Sequence, residues 1–196
     1  MEDVIHIPMF PLSILPLPGE WVPLHIFEPR YRQLLEDASA EDVSFGIYLS
    51  HHMNLARIGS LVRLESVLKQ YPGGESDIIV RCLDTFETDK LQRTFDSNKL
   101  YPGGYVRYHH IDTARQPSTI LYDLFTLYMQ RRNITRQVAP FSIYHIAQEL
   151  SLDLRDRYKF LQLAESRQET FLQNRIRYQE QLLEEEEKSK DFYHLN

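Results

Sequence analysis

The sequence predicts an α+β protein, strand-rich over residues 1–115 and helical over residues 116–196. Three features lead there. Up to Ile111, apolar residues recur at every second position in segments bounded by Pro- and Gly-containing turns, the period of a half-buried strand. Beyond Gln116 they recur every three or four positions, the period of an amphipathic helix. The stretch Ile7 to Leu35 holds six of the ten prolines, the only tryptophan and a run of large apolar residues. Proline locks φ and disfavours helix on its N-terminal side, so such a stretch fixes the chain path tightly. Strands followed by helices, not alternating with them, predict a closed or half-closed sheet with a helical appendix.

In order, Val4–Phe10 is apolar and β-like, and Val22–Phe27 is the second extended piece. The extended segments Ile7–Phe10 and Trp21–Phe27 are joined by a rigid turn at Pro16–Gly19. A short helix, Arg30–Asp37, then starts sharply: Pro29 suits its first turn and Glu28 favours its positive end. The polar run Ser39–Asp42 ends it. Val43–Leu49 returns to strand, and Gly46 within it predicts a bulge or a close backbone approach. Ile58–Tyr71 and Ile78–Thr88 form a long hairpin around Pro72-Gly73-Gly74, which supplies the fixed and the positive φ of a turn. Val62, Leu64 and Leu68 are expected on one face of its first strand. A second Tyr-Pro-Gly-Gly, Tyr101–Gly104, shares turn chemistry only with the first, and the strand Tyr105–Ile111 follows. Leu121, Leu124, Phe125 and Tyr128 place a helix over Ser118–Arg132. Further helices are expected at Phe141–Leu150 and Leu154–Leu163. Ser166-Arg167-Gln168-Glu169 has the spacing of a capping box and is expected to start a fourth, with Phe171, Leu172, Ile176, Leu182 and Leu183 on it, ending in Glu184–Glu187, Lys188, Lys190 and a fraying tail.

Composition excludes several classes. The 196 residues are 42% hydrophobic and 26% charged, enough to bury a real core. A net charge of −6 argues against general nucleic-acid binding, which needs cations opposite phosphates. With one cysteine, Cys82, no internal disulfide and no thiolate zinc site is possible. Met1-Glu2-Asp3 lacks the cationic, apolar character of a secretory signal, and no apolar run reaches the ~20 residues that span a bilayer. A cytoplasmic protein without membrane association is expected.

A search for reactive chemistry finds no catalytic site. No glycine is followed by lysine, so there is no phosphate loop, and no Gly-x-Ser-x-Gly or His-Glu-x-x-His occurs. Ser66 and Lys69 have Ser-Lys spacing, but residues three apart on a strand face opposite ways. His51-His52 and His109-His110 are adjacent pairs whose side chains diverge on a strand, so neither supplies two ligands to one metal; no metal or cofactor is expected. Cys82 alternates with Ile78, Val80 and Phe86 and reads as core. Arg131, Arg132 and Arg136 read as helix-end and loop charges. His25 reads as a half-buried, satisfied histidine on a strand. Arg30 and Arg32 are expected to pin the first helix to the strands by charged hydrogen bonds. Twelve tyrosines and ten phenylalanines are mostly core, and exposed ones would suit a surface that grips unfolded chain.

Pro8-Met9-Phe10-Pro11-Leu12, then Pro18-Gly19, then Pro23-Leu24-His25-Ile26-Phe27-Glu28-Pro29-Arg30-Tyr31-Arg32, then Phe45-Gly46-Ile47, make a long ordered pattern. It resembles the opening of the amino-terminal, substrate-binding domain of the ATP-dependent Lon protease family. Phe141–Ala147 leading into Leu152–Leu154 and a long terminal helix is similar in kind to that domain's later part. The chain departs where Tyr-Pro-Gly-Gly-Glu replaces the usual acidic-Gly turn of the central hairpin and Leu83-Asp84-Thr85-Phe86 stands for Gly-x-x-Arg-Phe. The resemblance implies a PUA-like β pseudo-barrel followed by a helical bundle. It implies a non-enzymatic module that engages unfolded protein or peptide segments, acting alone or with a Lon-type protease or another proteolytic system. The family's ATPase and serine–lysine protease are expected to be absent from this chain. Trp21, Phe27 and Tyr31 are the expected contacts. Fold-level analogy with PUA domains also leaves RNA binding open, against the charge.

Overall fold

The computed structural model describes residues 4–134 and 141–193, the side chains of 186–193 excepted. Arg136, Met1–Asp3 and the side chains of Glu186–Lys190 therefore lie outside the described residues. The chain divides into two compact units, Met1–Thr113 and Ala114–Asn196.

The first unit contains β1 (Ile5–Leu12), β2 (Trp21–Ile26), α1 (Pro29–Glu41), β3 (Phe45–Leu49), β4 (Ile58–Gln70), β5 (Ser76–Gln92) and β6 (Gly103–Tyr108). The sheet order is β2-β5-β4-β3-β1-β6, and β5 also pairs with β6. The pairings β1–β3–β4–β5–β6–β1 thus close a ring, with β2 added at an edge. Only β1–β3 is parallel. β1 is paired on one side at a time, to β6 through Pro8 and to β3 from Met9 onward, which makes its prolines tolerable. The long β5 pairs with β2 over Ser76–Arg81, with β4 over Ser76–Glu87 and with β6 over Phe86–Gln92, the last with a register shift at Thr88/Lys90.

Strand alternation sorts the core into two clusters. Phe10, Phe45, Ile47, Val62, Ile78, Val80 and Cys82 meet Tyr31, Leu34 and Ala38 of α1, which recur at helical spacing. Ile7, Met9, Leu61, Phe86 and Val106 form the other. The expected close approach at Gly46 is found: a Cβ there would lie 2.7 Å from Met9 Sδ and 2.8 Å from Phe86 Cζ.

Several expectations are corrected. α1 runs past Asp37 to Glu41, because Ala38 is buried while Ser39 and Glu41 remain on the solvent side; left-handed Asp42 ends it at φ 51°. Of the two Tyr-Pro-Gly-Gly copies only the first is a turn, with Gly74 at φ 90°. In the second, Gly103 and Gly104 open β6, where Phe95 and His6 pack on one and Met9 on the other. The face shared by Val62 and Leu64 does not extend to Leu68, because register shifts at Leu64/Ser66 and Val67/Lys69 change which side chains align.

The second unit contains α2 (Thr119–Arg131), α3 (Ile143–Glu149), α4 (Leu154–Gln162) and α5 (Glu165–Tyr193). Side chains of Ser118, Ser142 and Asp153 cap the first three by accepting from a backbone N–H three residues on. Ser166–Glu169 is not a cap. It lies inside α5, where the Glu169 carboxylate accepts from the Ser118 N–H instead. α5 buries Leu172 and Ile176, whereas Leu182 is exposed. No helix of the described residues is long and apolar enough to cross a membrane.

Candidate functional site

Cys82 is buried, its Sγ donates toward the Asp84 carbonyl at 3.4 Å, and burial pushes its thiol pKa far up, the opposite of an activated nucleophile. Ser66 and Lys69 are both exposed, and the Lys69 ammonium sits over the Tyr71 ring at 4.3 Å. Neither histidine pair lies in a strand. The His51 and His52 rings meet in a tilted pair at 4.1 Å after β3, and His109 Nδ1 shares a hydrogen bond with Thr85 Oγ1 at 2.7 Å beyond β6. Among the described residues no group of three metal-ligating side chains forms.

The first unit exposes several large apolar and aromatic side chains. β2 is the edge strand, and Trp21 at its start is 59% exposed and Phe27 just past its end 57% exposed. Tyr31 differs from the expectation. It is only 5% exposed, because it lies on the inner face of α1 with its ring 4.1 Å from that of Phe10. Tyr31 is a core residue, not a surface contact. His25, between Trp21 and Phe27, is exposed yet satisfied: its Nδ1 lies 2.7 Å from Asp77 Oδ1. Asp77 Oδ2 accepts from Tyr71 OH at 2.7 Å, and these two hydrogen bonds hold the Asp77 carboxyl below its usual range. The end of the β4–β5 hairpin presents Val67, 40% exposed, and Leu68, 62% exposed. Leu68 lines a shallow pocket of about 330 Å³ with Pro23, Leu24, His25, Asp77 and Ile78.

Val67 instead lines a larger groove of about 490 Å³ between α1 and the hairpin tip. Arg32 bridges one end of it. Its Nη1 donates to the Gly73 carbonyl at 2.6 Å and its Nη2 to Glu75 Oε1 at 3.2 Å. Arg30, expected to do likewise, pairs with Glu28 beside it at 2.8 Å and lies over the Tyr31 ring at 4.6 Å. A third pocket, of about 330 Å³, is lined by His6, Asp37, Lys99, Tyr101 and Tyr108 among others. There the Asp37 carboxylate is occupied, accepting from Lys99 at 2.8 Å and from Tyr101 OH at 2.6 Å.

The family model for the ATP-dependent protease La (LON) substrate-binding domain matches residues 6–195. The chain belongs to the Lon substrate-binding domain family. The structure is similar to a crystal structure of a Lon N-terminal domain protein from Xanthomonas campestris, with a TM-score of 0.64 and 24% identity over 91% of this chain and 97% of that one. The N-terminal domain of Mycobacterium avium complex Lon protease is more distant, with a TM-score of 0.48 and 14% identity over 89% of this chain and 95% of that one. No curated protein matches in sequence. The α+β Lon amino-terminal fold with C-terminal helices, expected from the proline-rich opening, is the fold observed.

Sequence reasoning missed the groove. Two consecutive apolar residues, Val67 and Leu68, near the end of the hairpin strand were a weak signal, since Leu61 and Val62 are adjacent in the same strand.

Proposed function

We propose that this member of the Lon substrate-binding family is a non-enzymatic module that holds unfolded polypeptide, in the cytoplasm, as an adaptor or accessory of a proteolytic system. The observation that carries the reading is the exposure of Trp21 and Phe27 on and beside an edge strand, with Pro23 and His25 between them. Soluble domains seldom leave two large aromatics open within one short segment unless something covers them. Aromatic side chains also supply much contact area at small entropic cost, which suits a surface that accepts many sequences. The buried thiol and the net charge of −6 support binding over catalysis and over RNA recognition. Titration of a labelled, reduced and unfolded protein into the chain tests the reading: saturable binding is expected, weakened about tenfold or more in Trp21→Ser and Phe27→Ser, each a loss of ~1.4 kcal/mol or more. Absence of binding contradicts it.

A further inference from the structure

The groove between α1 and the hairpin tip deepens that reading and rests on it. We propose that the groove seats an extended segment of the bound polypeptide in which a bulky apolar side chain is followed by a basic one. The α1 wall runs from Arg32 to Ala40, a helix length of about 12 Å at ~1.5 Å per residue. That spans three to four extended residues at roughly 3.3 Å each. Leu35 and Ala40 of α1 and Val67 of β4 are among its lining residues and supply apolar surface.

Two polar features set the chemistry. The Arg32 Nε is buried and has no hydrogen-bond partner among the described residues, although both its Nη atoms are engaged. The charge of Arg32 is already met by Glu75 at 3.2 Å. Glu36, exposed and without an ion pair among the described residues, leaves the groove with two carboxylates against one guanidinium. That excess attracts Lys or Arg beside the apolar anchor and repels Asp or Glu.

The test is fluorescence anisotropy with three labelled peptides in a Gly-Ser background, carrying Leu-Lys, Leu-Glu or Ser-Lys pairs. Leu-Lys is expected to bind at least tenfold tighter than either other peptide. Ala40→Trp fills the groove from an exposed position and is expected to lower Leu-Lys affinity at least tenfold with an unchanged melting temperature. Glu36→Lys is expected to shift the preference to Leu-Glu. Equal binding of Leu-Lys and Leu-Glu, an unchanged preference in Glu36→Lys, or full affinity in Ala40→Trp overturns the proposal. If Ala40→Trp binds unfolded protein normally while Trp21→Ser does not, the groove is wrong and the aromatic surface stands. If the unaltered chain binds neither peptide nor unfolded protein, both fall. A dimer of the chain that Ala40→Trp dissociates would assign the groove to a second copy and also overturn the proposal.

Discussion

Arg32 Nη1 donates to the Gly73 carbonyl at 2.6 Å, so a single side chain in the first half of α1 holds the tip of the β4–β5 hairpin. The Nη2 contact to Glu75 adds a second tie. Arg32→Ala removes both and leaves the carbonyl and carboxylate to water. A loss of about 1–2 kcal/mol is expected, the value of charged hydrogen bonds discounted for partial exposure. Urea denaturation checks it, and Arg32→Lys, which keeps the charge but not the fork, is expected to fall between the two.

Gly59 sits where β3, β4 and Phe86 converge. A Cβ there would lie 2.6 Å from the Ile47 carbonyl oxygen and 2.6 Å from Phe86 Cε2. The first neighbour is backbone, which cannot swing away. Gly59→Ala is therefore expected to destabilise by about 1–3 kcal/mol, seen as a lower denaturation midpoint with an unchanged slope. A variant as stable as the parent would mean that the sheet adjusts locally.

Asp37 carries a pH dependence. Burial raises its carboxyl, but hydrogen bonds from Lys99 and Tyr101 outweigh burial and hold it below the usual range. A folded-state pKa below the unfolded one adds stability that is present above the ordinary carboxylate range and lost as pH falls through the folded value. On the alkaline side, the Lys99 ammonium is held above its usual range by the same carboxylate, so its share is lost only as pH rises through that raised value. Asp37→Asn is expected to be less stable than the parent at pH 7, with the difference closing below about pH 4. Thermal unfolding across that interval measures it.

Cys82 is expected to resist a thiol reagent such as DTNB in the folded protein at about pH 8, because burial keeps the thiol protonated and unreachable. Reaction should follow the unfolding transition in urea. Fast labelling without denaturant would place the thiol at a surface.

Much of the fold is legible in the letters, because one face of each strand and helix is buried and the apolar period reports it. Ile78, Val80 and Cys82 alternate into the core as expected, Gly46 is the close approach that a glycine within a strand implies, and Ser118 sits where its helix begins. The failures have physical causes. The register shifts of β4 redirect Leu68 and Val67, and a bulge has no fixed residue signature. Gly103-Gly104 has turn chemistry, but His6, Phe95 and Met9 occupy the space beside it and make it strand. Of the three aromatic contacts expected, Tyr31 faces inward because helix phase, not composition, decides which side of α1 meets the sheet. The groove joins Arg32 to Gly73 across 41 positions of sequence, a separation that no local pattern spans.

Trp21 is the only tryptophan, so its emission reports on the surface proposed to bind. On titration with a reduced, unfolded and tryptophan-free polypeptide, its emission should shift to the blue and saturate as the exposed ring is covered. The shift should be lost in Phe27→Ser with the melting temperature unchanged. Emission that stays at the wavelength of a solvent-exposed indole at every polypeptide concentration would contradict a polypeptide-binding role for this surface.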